Sequence, residues 1–182
     1  AGDNLGDRVV LSGFNADNPN EPRGSGVGFA IPFDMVVDAD NKRLLVVDND
    51  SDRLVAVDQE TGARTIFSDN AGKGNGPDFC DPTGIALDPE NKRALVRACG
   101  ALFAVDLDSG DRSILSGENI GSGPALPVFS PIPTPLALTA NNRVLAVVGA
   151  MGNEFSLMAV ELETGKRTII SDKGLGSGPE IQ

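Results

Sequence analysis

Three carboxylates alternate with other residues in one short segment: Asp48, Asp50 and Asp52. This is the spacing of the first ligands in a calcium-binding EF-hand loop. The glycine expected next is replaced by Arg53, and a related segment further along has Ala98-Cys-Gly100 at this place. Two interpretations stand. The segment either binds Ca²⁺ or another divalent cation as a cofactor, or forms a polar hairpin tip between two strands.

Asp34 and Arg97 are polar residues inside short segments that are otherwise apolar. Related segments have Gly84 and Pro135 in place of Asp34, and valine in place of Arg97. A carboxylate and a guanidinium at such places are candidate ligand-binding groups. The alternatives are a solvated side chain or, for Arg97, an ion pair with a neighbouring carboxylate.

The composition excludes several kinds of function. The chain contains no His, so neither a Ser-His-Asp nor a Cys-His nucleophile can form within it. No catalytic residue is predicted. The net charge of −11 argues against nucleic acid and anionic lipid as partners. No apolar run approaches the roughly 18 residues that span a bilayer, so no membrane insertion is expected.

The chain has two cysteines, Cys80 and Cys99. They are too few for a metal cluster. They are expected to form a disulfide in an oxidising compartment, or to remain two thiols in the core.

A repeat organises these residues. Gly62-Ala-Arg-Thr-Ile-Phe-Ser68 recurs at 110–116 and 165–171, and a leading copy occupies 6–12. The spacing is about fifty residues, and three more similar segments precede each later copy. The aligned sets are 32–38, 82–88 and 133–139; 41–47, 91–97 and 141–147; and 53–58, 101–106 and 156–161.

Four strand-like segments per period are typical of β-propeller blades. The sequence therefore predicts an all-β chain with four antiparallel strands per blade. It has three full blades and one extra strand, in a single domain or propeller fragment over 1–182. The repeats are placed at about 13–68, 69–116 and 117–171, and the leading outer strand at 6–12.

The patterns within a repeat suggest where each strand lies. The first segment is a short apolar run, as expected for an innermost strand packed on both faces. The fourth alternates, as expected for a half-exposed outer strand. Glycines 62, 110 and 165 stand where the last hairpin needs a positive φ, and Asn41 and Asn91 stand at an earlier hairpin tip.

Other recurring residues are expected to be structural. Six arginines occupy fixed positions in the repeats and are predicted to pair with acidic residues such as Asp58 and Asp106. The Pro-rich stretch 124–135 is predicted to be a stiff inter-blade loop, with a polyproline-binding partner as the alternative.

The repeat resembles the NHL-repeat and SMP-30-like family of six-bladed propellers, the TolB-like architecture. The resemblance rests on Gly-x-Gly-Pro, Pro82-Thr-Gly-Ile-Ala-Leu-Asp88, Asn-Lys-Arg-x-Leu-Val, Ala-Val-Asp-Leu and Gly110-Asp-Arg-Ser-Ile-Leu-Ser116. The family implies either a binding module or a lactonase with a central divalent cation held by inner-strand side chains. At the matching positions this chain offers Asp34, Gly84 and Pro135, and only the first can ligate through its side chain.

These features together favour a non-catalytic binding or scaffolding propeller, extracytoplasmic in location. A metal-dependent lactonase or hydrolase of the SMP-30 type is the alternative. Because propellers usually have four to eight blades, the partner is expected to be a second copy that completes a six-bladed ring, or further blades of a longer parent protein.

Overall fold

The computed structural model describes residues 10–13, 23–128, 133–150 and 154–175, which form three antiparallel sheets of four strands. In every sheet the strands lie side by side in chain order. Blade 1 contains β1 (Pro32–Asp38), β2 (Arg43–Asp48), β3 (Arg53–Asp58) and β4 (Arg64–Ser68). Blade 2 contains β5 (Gly84–Asp88), β6 (Arg93–Ala98), β7 (Ala101–Asp106) and β8 (Arg112–Ser116). Blade 3 contains β9 (Leu136–Leu138), β10 (Arg143–Ala150), β11 (Glu154–Glu161) and β12 (Arg167–Ser171).

Helical structure in these ranges is limited to two single 3₁₀ turns, Asn49–Ser51 and Pro89–Asn91. Within the part of the chain that the structure describes, no helix is long and apolar enough to cross a membrane. The four-stranded blades follow the predicted repeat, because each aligned segment overlaps one strand.

Most of the core lies in the two gaps between neighbouring blades, and a smaller cluster of Val46, Val55 and Val57 lies on the other face of blade 1 beneath Val27 and Phe29. Side chains alternate across each sheet, so the middle strands present apolar residues to both sides. Between blades 1 and 2 the buried layer contains Leu45, Val47, Leu54, Ala94, Val96, Phe103 and Val105. Between blades 2 and 3 it contains Ala86, Leu95, Leu102, Val144, Ala146, Met158 and Val160.

The inner strands are not equally buried. The first three residues of β5 are buried, as predicted for an innermost strand. In β1, however, Met35 and Val37 are 60% and 57% exposed. Val36 packs against the core between blades 1 and 2, so alternation turns Met35 and Val37 to the opposite side. The described residues place no further blade on that side, and the prediction of burial on both faces is wrong for β1.

The turn predictions are confirmed for glycine and corrected for asparagine. Gly62, Gly110 and Gly165 have φ of 71°, 78° and 68°. In the β1–β2 turn the left-handed residue is Lys42 (φ 51°) rather than Asn41. Asn41 instead uses Nδ2 to donate to the carboxylate of Asp38, and this fixes the turn from its other end.

One hydrogen-bonded unit, here called the rim clamp, joins the outermost strands of consecutive blades. The last serine of one blade donates to a glycine carbonyl of the next, and the arginine two residues after that glycine donates to the same serine oxygen. Ser68 Oγ lies 2.8 Å from Gly110 O and 2.8 Å from Arg112 Nη1. The other two clamps are Ser116–Gly165–Arg167 and Ser12–Gly62–Arg64.

Ser12 therefore makes the same contacts to blade 1 that Ser68 makes to blade 2. Of the predicted leading strand 6–12, residues 6–9 lie outside the described residues and residues 10–12 do not form a strand. Residues 129–132 of the Pro-rich stretch also lie outside the described residues, and a polyproline-binding partner for this stretch stays a prediction.

The recurring arginines are structural, but their expected acidic partners were wrong. Arg43 Nε lies 2.7 Å from the carboxylate of Asp38, and Arg93 makes the same ion pair with Asp88. Asp58 instead accepts the N–H groups of Glu60 and Thr61 in the following turn. These turn hydrogen bonds, led by those of Thr61, lower the pKa of Asp58. The carboxylate is held by the turn and is not available to the neighbouring arginine.

Candidate functional site

The predicted site residues all lie near one edge of the blades, here called the loop edge. Antiparallel pairing places the start of β1 beside the end of β2, where Pro32 is opposite Asp48. In blade 2 the same pairing places Gly84 opposite Arg97. The loop edge is therefore formed by the starts of the inner strands, the ends of the second strands and the hairpin tips that follow them.

Asp34 connects the inner strands of blades 1 and 2. Its side chain is half-buried. Its Oδ1 accepts the backbone N–H of Met35 at 2.9 Å, and its Oδ2 accepts that of Ile85 in β5 at 3.0 Å. Both carboxylate oxygens are thus bonded to backbone, and Asp34 holds β1 against β5.

Arg97 lies in the gap between blades 2 and 3, with only 3% of its surface exposed. Nη1 donates to the hydroxyls of Thr83 and Thr134, each at 2.9 Å, and Nη2 donates to Pro127 O at 2.9 Å. Nε is buried and has no hydrogen-bond partner. No carboxylate of the described residues forms an ion pair with Arg97. Burial lowers the pKa of its guanidinium.

The two threonines are functional candidates that the sequence reasoning missed. Both are buried, and their hydroxyl oxygens lie 2.6 Å apart. The backbone N–H of Thr134 also donates to Thr83 O at 3.0 Å, so blades 2 and 3 meet directly there. Gly84 permits this approach, because a Cβ on it would lie 2.0 Å from Thr134 O. The sequence did contain a signal for these two residues, because the second and third repeats have threonine where the first repeat has Phe33.

Asp34 and Arg97 do not form one site. Asp34 bonds to the backbone of Ile85 from the side of blade 1, whereas Arg97 contacts Thr83 and Thr134 in the gap before blade 3. No hydrogen bond or ion pair in the described ranges joins the two side chains. They occupy two separate inter-blade contacts beside β5.

The segment with alternating carboxylates forms the β2–β3 hairpin tip. Asp48 is fully buried, and Oδ1 accepts the N–H groups of Ala30 and Ile31 at 2.9 and 2.8 Å. Its Oδ2 lies 2.8 Å from Arg53 Nη2. The Asp48 carboxylate therefore organises the link that leads into blade 1.

Asp52 is half-buried at the same tip. Its Oδ1 accepts the N–H of Asp81 at 2.7 Å. Burial raises the pKa of Asp52, and the nearby negative charges of Asp81, Asp50 and Asp78 act in the same direction. Among the described residues, no three acidic or cysteine side chains are grouped so that they could hold a metal ion. Cation binding by Asp48, Asp50 and Asp52 stays a prediction.

A disulfide also lies at the loop edge. Cys80 and Cys99 are bonded, with their Cα atoms 5.1 Å apart. The bond ties the link before β5 to the turn between β6 and β7. Beside it is a cavity of about 260 Å³ whose lining includes Phe103, Ile114 and Asp78.

A larger cleft of about 570 Å³ lies at the opposite edge of the blades. It is formed by the β5–β6 and β9–β10 turns, and its lining includes Asp88, Glu90, Thr139 and Asn142. None of the residues predicted to bind a ligand lines this cleft. The buried Arg97, Thr83 and Thr134 lie at the loop edge instead, together with Asp34 and the β2–β3 hairpin tip, so we place the candidate site there.

Comparisons with known proteins identify the fold. No protein-family model and no curated protein matches the chain. A chain in the crystal structure of a nidogen/laminin complex is 14% identical, with a TM-score of 0.58 over 80% of this chain and 49% of that one. A calcium-binding protein, regucalcin from Agrobacterium tumefaciens, is 12% identical, with a TM-score of 0.54 over 80% and 44%.

The extracellular domain of the one-component system BT4673 from B. thetaiotaomicron is 14% identical, with a TM-score of 0.52 over 77% of this chain and 16% of that one. The chain thus spans about half the length, or less, of these solved structures. At such low identity the likeness shows the β-propeller fold alone, and the predicted all-β blade architecture is confirmed.

Proposed function

We propose that the chain is a non-catalytic binding module, related to the NHL-repeat and SMP-30-like propellers, that binds further propeller blades through its outer blade faces. The observation that carries this proposal is an uncovered apolar surface on blade 3. Val147 and Ile170 are 40% and 41% exposed. At the same position in blade 1, Val47 is fully buried by blade 2. Exposed apolar groups on a face built for packing are typical of an interaction surface.

Polar groups on blade 3 support the same partner. Ser171 aligns with Ser68 and Ser116, which donate to a glycine of the next blade at 2.8 and 2.6 Å. The one acceptor described for Ser171 is its own loop, at Leu175 O, 3.4 Å away. A following blade with a Gly-x-Arg outer strand would supply the acceptor and donor of a rim clamp.

Arg143 points to the same conclusion. Its counterpart Arg43 pairs with Asp38 and also donates to Leu107 O of the next blade at 2.6 Å. Blade 3 has Thr139 at the place of that aspartate, and Arg143 Nε is buried with no hydrogen-bond partner. The unpaired Nε follows from the loss of that aspartate within the blade, and a following blade would supply a carbonyl acceptor for Nη2, as Leu107 O does for Arg43.

The opposite face, on blade 1, exposes Met35 and Val37 at its inner strand, while Val27 and Phe29 pack over its middle strands. A second copy of the chain therefore offers a complementary surface to each open face. We propose that two copies associate and so place six blades in one assembly.

The loop edge supports a non-catalytic role. Asp34 is the only one of the three matching inner-strand positions that carries a ligating side chain, and both its oxygens are bonded to backbone. The disulfide supports an extracytoplasmic location, because such bonds persist in oxidising compartments.

Light scattering after size exclusion, over a range of concentrations, tests the proposal. We expect a dimer of twice 18.8 kDa. Ile170→Asp should dissociate it, because burying a carboxylate among apolar side chains is costly. Val128→Asp is the matched control, since Val128 is exposed but belongs to a link outside the blade faces. A monomer at all concentrations, or a dimer insensitive to Ile170→Asp, would contradict the proposed binding face.

A further inference from the structure

We propose that Arg97, Thr83 and Thr134 form a binding site for a small anionic group, either a free halide or the carboxylate of a ligand. The inference concerns the gap between blades 2 and 3 and does not depend on the docking of further blades.

The argument begins with the hydrogen-bond donors of the cluster. A guanidinium has five N–H donors. The guanidinium of Arg97 donates three hydrogen bonds. Its Nε–H is buried without an acceptor. Each threonine hydroxyl accepts one of these bonds, and the two oxygens lie 2.6 Å apart. One hydroxyl must donate to the other, and the second then has a proton for which the described residues provide no acceptor.

The cluster therefore has a surplus of donors and a net positive charge. A buried charge with unsatisfied donors is costly unless an acceptor or counter-ion compensates it. A neutral acceptor would satisfy the hydrogen bonds alone, whereas an anion satisfies both the hydrogen bonds and the charge. Small size is expected, because Thr83, Arg97 and Thr134 are each 3% exposed or less.

A second buried arginine shows that this surplus is not a general property of the fold. Arg112 of the rim clamp is also buried, at 7% exposure. Its Nε donates to Pro77 O at 2.8 Å, and its Nη1 contacts Ser68 Oγ and the carbonyls of Asp69 and Lys73. Carbonyl oxygens thus surround Arg112, while Arg97 is surrounded mainly by hydroxyls that are themselves donors.

Because of the position of the cluster, anion binding would affect how blades 2 and 3 are held together. Thr83 precedes β5 and Thr134 precedes β9, so an anion beside Arg97 contacts two inner strands at the loop edge. Binding would fasten blade 3 to blade 2 at their inner ends, far along the sheets from the rim clamp.

Thermal unfolding of the full chain in chloride, acetate or phosphate, at matched ionic strength, tests the site. We expect Tm to depend on which anion is present. It should rise by about 3–6 °C for each tenfold increase in the free anion concentration above its Kd. Arg97→Val, which places the valine of the other two repeats at this position, should abolish that dependence. Arg93→Met removes a guanidinium from the same strand and should leave it intact.

Each result decides the question. A response to chloride identifies a halide site, and a response to acetate but not chloride identifies a carboxylate site. Equal Tm in all three anions, or the same anion dependence in Arg97→Val as in the wild type, would overturn the proposal. If Arg97→Val does not fold, Thr83→Val retains the charge and removes one hydroxyl. It should weaken the apparent anion affinity about tenfold, as expected for one hydrogen bond to a charged group.

Discussion

The two blade interfaces share one contact at the rim and differ at their inner ends. At the rim, Ser68–Gly110–Arg112 and Ser116–Gly165–Arg167 form the same two hydrogen bonds. At the inner ends, blade 1 reaches blade 2 through the Asp34 carboxylate, whereas blades 2 and 3 meet backbone to backbone over Gly84. Because the rim contact is the same at both interfaces and already holds the blades together, the contact at the inner ends is free to differ. Ligand-binding chemistry is therefore expected at the inner end.

The largest expected effect on stability is specific to the interface between blades 2 and 3. Gly84→Ala places a Cβ 2.0 Å from Thr134 O, so the two inner strands must separate. We expect the free energy of unfolding to fall by about 3 kcal/mol or more. Gly28→Ala is the control, because a Cβ there meets nothing within 4 Å. Chemical denaturation measures both. A loss below about 1 kcal/mol for Gly84→Ala would show that the close approach is not required.

The rim clamps should respond equally at both interfaces. Arg112→Met and Arg167→Met each leave a buried serine and several carbonyls without their donor. We expect each to lower the free energy of unfolding by about 2–3 kcal/mol. Lys92→Met, at an exposed and loosely paired lysine, should change it by less than about 0.5 kcal/mol. Clearly unequal losses from the two arginine variants would contradict the equivalence of the clamps.

A smaller effect is expected at the inner end of the first interface. Asp34→Ala removes the acceptor of the Ile85 N–H, and we expect a loss of about 1 kcal/mol because the carboxylate is half-exposed. Asp40→Ala, at an exposed turn residue, serves as the control. Hydrogen exchange of the Ile85 amide gives a local measurement. Unchanged protection in Asp34→Ala would show that this bond does not hold the strands together.

The smallest effect concerns pH. The pKa of Asp52 is raised in the folded protein, chiefly by burial, so its contribution to stability is present at low pH and is lost as pH rises through that pKa. Asp52→Asn keeps an oxygen for the Asp81 N–H and removes the charge. It should raise stability at pH 7 by less than about 0.5 kcal/mol, and the gain should vanish in acid. A gain of the same size at all pH values would rule out the carboxylate charge as its cause.

The fold could be predicted from the sequence because its unit recurs. Gly62, Gly110 and Gly165 mark the same turn three times, and the strand segments between them align without ambiguity. The serine and arginine of the rim clamp recur in the same way. Their partnership was missed because it joins residues of neighbouring repeats, more than forty positions apart.

The inner contacts were harder to predict, since they depend on the distance between two strands. Asp34 was singled out, but its partner is a backbone N–H, which leaves no trace in residue type. Arg97 was also singled out, yet the hydroxyls beside it come from two repeats. Only the structure shows that Gly84 lets those repeats approach closely enough.

The rim clamp also bears on how such a chain can change in length. In each repeat, the serine at the end of the outer strand is placed to bond to the following blade. The glycine before that strand and the arginine at its start are placed to bond to the serine of the preceding blade. A duplicated repeat would contain the serine as well as the glycine and arginine. It could therefore form a rim clamp with the blade on either side. Gain or loss of a whole repeat would preserve the rim clamps of the remaining blades, so the number of blades can change without new rim contacts having to evolve.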